Sequence, residues 1–282
     1  MLDTGARADC TEALFTFGER PEMEPGFVKE IEAVGEVSFL DYCRRLCKAS
    51  IDRGLLPHTN AGVLEEEELE ALREVNASMG LMLETTARVE AHTGSPGKDP
   101  AVRIETIEAA GRLRIPFTTG LILGIGETAA DRLESLETIA GIHRRFGHIQ
   151  EVILQNFIPQ EGTDMAGAPT ITVEEYCSVV RLAREVLPYD VAVQVPPNLA
   201  DAPYLVACGA NDLGGVSPVS IDHINPDHPW PAVDELRSLL APGTELVERL
   251  CIHPRFVDRG WYSTTLAPLV RRLSERIREQ QQ

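Results

Sequence analysis

At 282 residues and 43% hydrophobic content, the chain can bury one large core or two modest ones. Its formal charge of −18 repels phosphates and argues against a nucleic-acid partner. No apolar run is long enough to span a bilayer, and the opening Met1–Arg7 has no basic segment followed by an apolar one, so a cytoplasmic protein without membrane contact is expected. Six cysteines, at positions 10, 43, 47, 177, 208 and 251, do not suggest a disulfide framework, and no bridge is expected in a reducing compartment.

Apolar, β-branched runs alternate with helical patterns along the chain, which is the signature of βα units around a parallel sheet. Strands are expected over 11–17, 55–58, 81–84, 117–123, 152–157, 191–195 and 212–217. Helices are expected over 27–52, 65–76, 100–114, 127–146, 172–187 and 203–208, with further helices over 233–240 and 266–278. Nothing resembles an interdomain linker, so one domain over 1–282 with a C-terminal helical extension is expected. Seven strands fall one short of a closed (β/α)8 barrel, and a first βα unit looks absent.

In a barrel of this type the working residues sit at the C-terminal ends of strands. Polar groups concentrate there: Gly18 and Glu19, His58 and Asn60, Glu84, Gln155 and Asn156, Gln194 with Asn198 nearby, and Asn211, Asp212 and Ser217 around the last strand. Glu84 follows the apolar Leu81-Met82-Leu83, and a carboxylate ending a buried strand needs a partner or a ligand. Each of these residues also has a plain structural reading, as a helix cap, a turn or a core histidine.

The most informative stretch is Thr119 to Glu127, a buried strand running into a glycine-opened turn and a helix. Gly124-x-Gly126-x-x-Ala129 satisfies a dinucleotide fingerprint, but the next strand ends in Gln155-Asn156-Phe157, without the acidic residue that would hold a ribose. A nicotinamide-dependent oxidoreductase therefore stands as an alternative reading. A Schiff-base aldolase would need a lysine at a strand end, and Lys29, Lys48 and Lys98 are not so placed. No histidine cluster points to a zinc site, and no metal ligand is assigned.

A longer pattern over the same residues, Gly120-x-Ile122-x-Gly124-x-x-Glu127, resembles the adenine-contacting strand of the radical S-adenosylmethionine (SAM) superfamily. Gly18-Glu19 resembles the element that holds the SAM amino group. Glu84 resembles the carboxylate that holds the ribose, and Arg103 the cation that pairs with the methionine carboxylate. Cys10 to Pro21, Leu56 to Asn60, Met82 to Thr85 and Asn211 to Gly215 are similar to the first subunit of the FO (7,8-didemethyl-8-hydroxy-5-deazariboflavin) synthase family, over nearly the whole chain.

That resemblance implies an incomplete (β/α)8 TIM-type barrel, SAM and a 4Fe-4S cluster as cofactors, and a second FO synthase subunit as a partner. It also implies a small-molecule substrate, a hydroxybenzyl adduct of a ribitylaminouracil, closed to a deazaflavin ring with loss of ammonia. His58, Asn60, Gln155, Asn156, Gln194, Asn198, Asn211, Asp212 and Ser217 are the candidate substrate contacts.

One element of the superfamily is missing. Its cluster is held by Cys-x3-Cys-x2-Cys in the loop after the first strand. The only Cys-x3-Cys here is Cys43 to Cys47, with Ser50 in the third place, inside a helical pattern. A chain that begins too late would explain both the missing cysteines and the missing strand. The expectation is a chain inactive alone or a non-catalytic fragment.

Overall fold

The computed structural model describes residues 1–281. In chain order the helices and strands are α1 (Leu2–Arg7), β1 (Glu12–Thr16), α2 (Phe27–Ala33), α3 (Phe39–Ile51), β2 (Leu56–Asn60), α4 (Glu66–Arg73), β3 (Ser78–Gly80), α5 (Pro100–Arg112), β4 (Phe117–Leu123), α6 (Ala129–Phe146), β5 (Ile149–Asn156), α7 (Val173–Val186), β6 (Ala192–Gln194), α8 (Ala202–Cys208), α9 (Val233–Leu239), α10 (Pro254–Asp258) and α11 (Ala267–Gln280). Two short 3-10 turns, Glu90–His92 and Pro96–Lys98, lie between β3 and α5.

Local chemistry sets most of these boundaries. The Ser38 side chain caps α3 by accepting the Asp41 N–H, and Thr172 does the same for α7 through Glu175. Thr128 and Asp131 form a reciprocal capping box at the start of α6, and Gly147, at φ 68°, ends it.

Several expected elements shift. The helix expected over 27–52 is two helices, because the chain turns through Gly35 at φ 79° and restarts at the Ser38 cap. The strand expected over 81–84 lies earlier, at Ser78–Gly80, leaving Glu84 as an isolated parallel bridge to Leu121. The last expected strand is reduced to one bridge, Gln194 to Asp212. Among the described residues six strands form, not seven.

Two compact units divide the chain. The first contains residues 1–81, 106–117 and 247–282, and the second 82–105 and 118–246. In the first, β1, β2 and β3 run parallel in chain order, with Leu14 opposite His58 and His58 opposite Ser78. Its core gathers Leu56 with the C-terminal residues Ile252, Phe256, Leu266 and Val270, each fully buried. In the second, β4, β5 and β6 follow in chain order, and β5 pairs β6 in parallel with Val152 opposite Val193. Leu123, Leu136, Ile139, Leu154 and Val180 are fully buried there.

The second unit also corrects the cysteine reading. Cys177 on α7 and Cys208 on α8 form a disulfide, with Cα atoms 5.5 Å apart and a sequence separation of 31. Helices α7 and α8 flank β6, so residues far apart in the chain meet on neighbouring helix faces. Sequence spacing alone does not reveal such a pair.

Candidate ligand-binding site

Residues of the second unit build the best-defined site. Strand β4 is buried except at the half-buried Ile122, and Gly120 within it is obligatory: a Cβ there would lie 2.2 Å from the Ile153 carbonyl oxygen and 2.8 Å from the Met82 side chain. After Leu123 the chain turns through Gly124 and Gly126, at φ 95° and 107°, a conformation that side chains with a Cβ rarely adopt.

Glu127 holds that turn. Its carboxylate accepts the backbone N–H groups of Gly124 (2.9 Å) and Ile125 (2.8 Å) and pairs with Arg132 at 2.8 Å, which in turn meets Glu175 at 2.6 Å. Glu127 precedes α6 instead of opening it, since Thr128 is the cap. A dinucleotide pyrophosphate would need free amides and a free helix N-terminus at this turn. Glu127 and the Thr128–Asp131 box already occupy them.

Glu84 is the most unusual residue of the unit. Its N–H donates to the Gly120 carbonyl (2.9 Å), and its own carbonyl accepts the Ile122 N–H (3.1 Å), so backbone pairing fixes it against β4. Its φ is +68°, and Thr85 N–H closes onto the Leu83 carbonyl at 2.9 Å across it. This is the rare γ-turn of positive φ, at a residue that has a Cβ. Such conformations cost on the order of 1–3 kcal/mol and cluster at ligand sites.

The Glu84 side chain is buried, and three basic side chains surround it: His92 at 2.9 Å, Lys98 in direct contact and Arg103 at 3.4 Å. Burial alone would raise its carboxyl pKa. The His92 hydrogen bond and the Arg103 and Lys98 charges outweigh burial and hold it at about 2. Arg103 is itself buried, donating to the Gly97 and Met82 carbonyls, so a solvated side chain is excluded. Glu84, Arg103, Gly120, Ile122, Gly124 and Glu127 thus lie in one connected stretch.

The remaining candidates of this unit, Gln155 apart, have side-chain contacts within the fold. Gln155 is the penultimate residue of β5, half-buried, and Asn156 donates to the Leu199 carbonyl at 2.9 Å. Gln194 packs so closely on Gly214 that a Cβ there would meet it at 2.3 Å. Asn198 donates to Asp222 (3.0 Å) and the His228 carbonyl (3.2 Å). Asn211 accepts the Val193 N–H, Asp212 accepts the Gly214 N–H, and Ser217 closes a turn onto Ser220.

Sequence reasoning passed over Asp222. Burial would raise its pKa, but the Asn225 and Ile224 N–H groups with the Asn198 and Asn225 amides hold it down. The only signal in the sequence was an Asp-x-x-Asn turn pattern.

The other candidates belong to the first unit. Phe17 N–H donates to the Asn60 carbonyl (2.9 Å), so Gly18 and Glu19 leave β1 beside the end of β2. Glu19 accepts the Val63 N–H at 3.0 Å. His58 Nδ1 lies 2.6 Å from the Ser78 hydroxyl, which spends its one proton on the Cys251 carbonyl at 2.7 Å. The imidazole therefore donates from Nδ1. Its Nε2 faces Asn60 Oδ1 at 3.1 Å.

The cysteines do not fit an iron–sulfur cluster. Cys43 and Cys47 lie one turn apart on α3, buried against the unit core. Burial, with Cys47 beside it, pushes the Cys43 thiol up to about 12, and burial also raises Cys47, whose sulfur lies 3.5 Å from the Thr59 hydroxyl. Ser50 donates to the Cys47 carbonyl. Among the described residues, no group of three potential metal ligands contains a cysteine. The second unit, by contrast, fits a nucleoside ligand: a buried carboxylate in a γ-turn beside a glycine turn whose Gly126 leaves open space where a Cβ would sit.

A family model described as Radical SAM superfamily matches residues 1–139. The 7,8-didemethyl-8-hydroxy-5-deazariboflavin synthase of Methanosphaerula palustris is 63% identical over 278 residues, covering 99% of this chain and 85% of the relative. The protein of that name from Archaeoglobus fulgidus is 52% identical over 272 residues, covering 96% and 84%. Among solved structures, methylornithine synthase (PylB) superposes with a TM-score of 0.60 at 18% identity, over 93% of this chain and 72% of its own. The FeFe-hydrogenase maturase HydG of Carboxydothermus hydrogenoformans gives 0.56 at 16% identity, over 83% and 54%.

The structural likenesses place the fold in the α/β, TIM-type class of alternating strands and helices. The radical SAM family uses SAM and a 4Fe-4S cluster. This chain belongs to the 7,8-didemethyl-8-hydroxy-5-deazariboflavin synthase family within the radical SAM superfamily.

Proposed function

We propose that this protein serves the formation of 7,8-didemethyl-8-hydroxy-5-deazariboflavin, as a carbon–nitrogen lyase that closes a hydroxybenzyl adduct of a ribitylaminouracil with loss of ammonia. We read it as a cytoplasmic enzyme that works with a second synthase subunit. No helix among the described residues is long and apolar enough to cross a membrane.

The observation that carries this reading is Glu84, a buried carboxylate in a positive-φ turn beside β4. It would accept the ribose hydroxyls of SAM, while the Gly124–Gly126 turn, braced by Glu127, would admit the adenine. Arg103 supplies positive charge beside Glu84. SAM would supply the 5′-deoxyadenosyl group of the chemistry. Asn156, Gln194 and Asn198 offer neutral donors and acceptors suited to a uracil and a ribityl chain.

Because the cysteines present do not fit a cluster, the chain of 282 residues takes up none on its own, and no reaction step is assigned to one. Calorimetry with S-adenosylhomocysteine tests the binding half of this reading. Micromolar binding, lost in Glu84→Ala, is the expected outcome, and absence of binding overturns it. Anaerobic reconstitution tests the other half: cluster absorbance with release of 5′-deoxyadenosine would refute the claim that this chain alone is inert.

The nicotinamide alternative has no supporting contact, since Glu127 fills the amides a pyrophosphate would use.

A further inference from the structure

We propose that Lys98 and His92 form a displaceable latch on Glu84, which the vicinal hydroxyls of a nucleoside ligand must open in order to bind. The inference deepens the proposed function, resting on Glu84 as the carboxylate that receives the ribose.

The two oxygens of Glu84 are claimed from the same short segment. Lys98 and Arg103 approach Oε1, and His92 Nε2 lies 2.9 Å from Oε2. Arg103 is committed elsewhere: it is anchored in α5, buried, and donates to the Gly97 and Met82 carbonyls. Lys98 and His92 differ. They belong to the two short 3-10 turns, and no residue from Thr86 to Pro100 is buried.

A segment with no buried side chain has little besides its polar ties to hold it, and so lies at the low-stability end of the structure. His92 Nδ1 is buried with no partner, so the ring is anchored on one side only, through Glu84. Lys98 keeps a third of its side chain exposed, so water can take its ammonium when it leaves.

The occupied state is therefore self-satisfied without a ligand. A ribose can offer its two hydroxyls to Glu84 only where a cation withdraws, because a carboxylate has about four acceptor positions and three groups already converge on this one. Part of the nucleoside affinity is spent on release of the latch. The diol is the feature that competes, so ligands without it should be indifferent to Lys98.

The test compares adenosine with 2′,3′-dideoxyadenosine by calorimetry on the full chain and its Lys98→Ala variant. The ion pair is partly exposed, so its removal should tighten adenosine binding by about 3- to 30-fold. Dideoxyadenosine affinity should stay the same within about twofold, the spread expected when no ion pair is lost. Lys98→Gln, which keeps a hydrogen-bond donor without the charge, should fall between wild type and Lys98→Ala, and gives the same reading should the alanine variant not fold.

Unchanged or weaker adenosine binding in both variants overturns the latch, weaker binding marking Lys98 as a ligand contact. Equal tightening of both ligands overturns it too, since the diol would then not be what competes. A wild-type protein that binds neither adenosine nor S-adenosylhomocysteine brings down the proposed function itself, and the latch with it. Binding without the Lys98 effect removes the latch alone.

Discussion

The Glu127 carboxylate accepts the Gly124 N–H at 2.9 Å, three residues back along the chain, and so closes the turn after β4 from the helix side. With Ile125 N–H and Arg132 it forms a buried knot in which one carboxylate satisfies two amides and a guanidinium. Glu127→Ala would leave Arg132, which is buried, with Glu175 as its ion-pair partner and would leave two amides unpaired. A loss of about 2–4 kcal/mol is expected in denaturant unfolding. Glu127→Gln keeps one acceptor oxygen and should lose less. A Glu127→Ala protein as stable as wild type would show that the knot contributes nothing.

Two glycines of the same stretch should respond differently to alanine. At Gly120 the added Cβ would meet the Ile153 carbonyl at 2.2 Å, and backbone cannot yield as a side chain can. At Gly126 there is open space, and only the φ of 107° resists. Gly120→Ala should cost more than about 3 kcal/mol or prevent folding, and Gly126→Ala about 1–2 kcal/mol. Thermal melts of the two variants order them, and the reverse order would contradict the packing described for β4.

Strand β4 matches its sequence-based range, 117–123, because it is a run of aromatic, β-branched and aliphatic residues bounded by Pro116 and Gly124. β3 lies off its expected range because Ala77 to Leu83 is apolar apart from Ser78 and shows no alternation: periodicity cannot choose three residues from such a run, and only pairing with Ser78 opposite His58 does. Glu84 and Arg103 could be singled out by residue type and order. His92 and Lys98 could not, since they lie 8 and 14 residues beyond Glu84 on turns without apolar periodicity. The Glu127 knot was invisible for another reason: the same Glu fits a helix start, a ligand contact or a turn brace, and only coordinates separate these.

The ion cluster at Glu84 makes stability depend on acid. Its carboxyl is held at about 2, below the ordinary 4.5, so the unfolded chain binds a proton there more readily than the folded one. The stabilisation is complete above about pH 4.5 and drains away as the pH falls towards about 2. Its size is on the order of 2–3 kcal/mol. Glu84→Gln cannot take part, so the stability difference between wild type and Glu84→Gln should shrink over this window. Urea unfolding at stepped pH measures it. A difference constant down to pH 2 would place the acid sensitivity elsewhere.

The Cys177–Cys208 bridge ties α7 to α8, which follow β5 and β6 in the chain. Closing a segment of 31 residues restricts the unfolded chain by about 3–4 kcal/mol in the loop-entropy account. Reduction with dithiothreitol should lower the unfolding midpoint, and Cys177→Ser should lower it equally and make it indifferent to the reductant. Both sulfurs are buried, so reduction should be slow in the folded protein and fast once α8 is loosened by denaturant. Thiol counting before and after reduction provides an independent measure. Six titratable thiols in the protein unfolded without reductant would mean that these two cysteines meet without bonding, and the predicted reductant effect would vanish with the bridge.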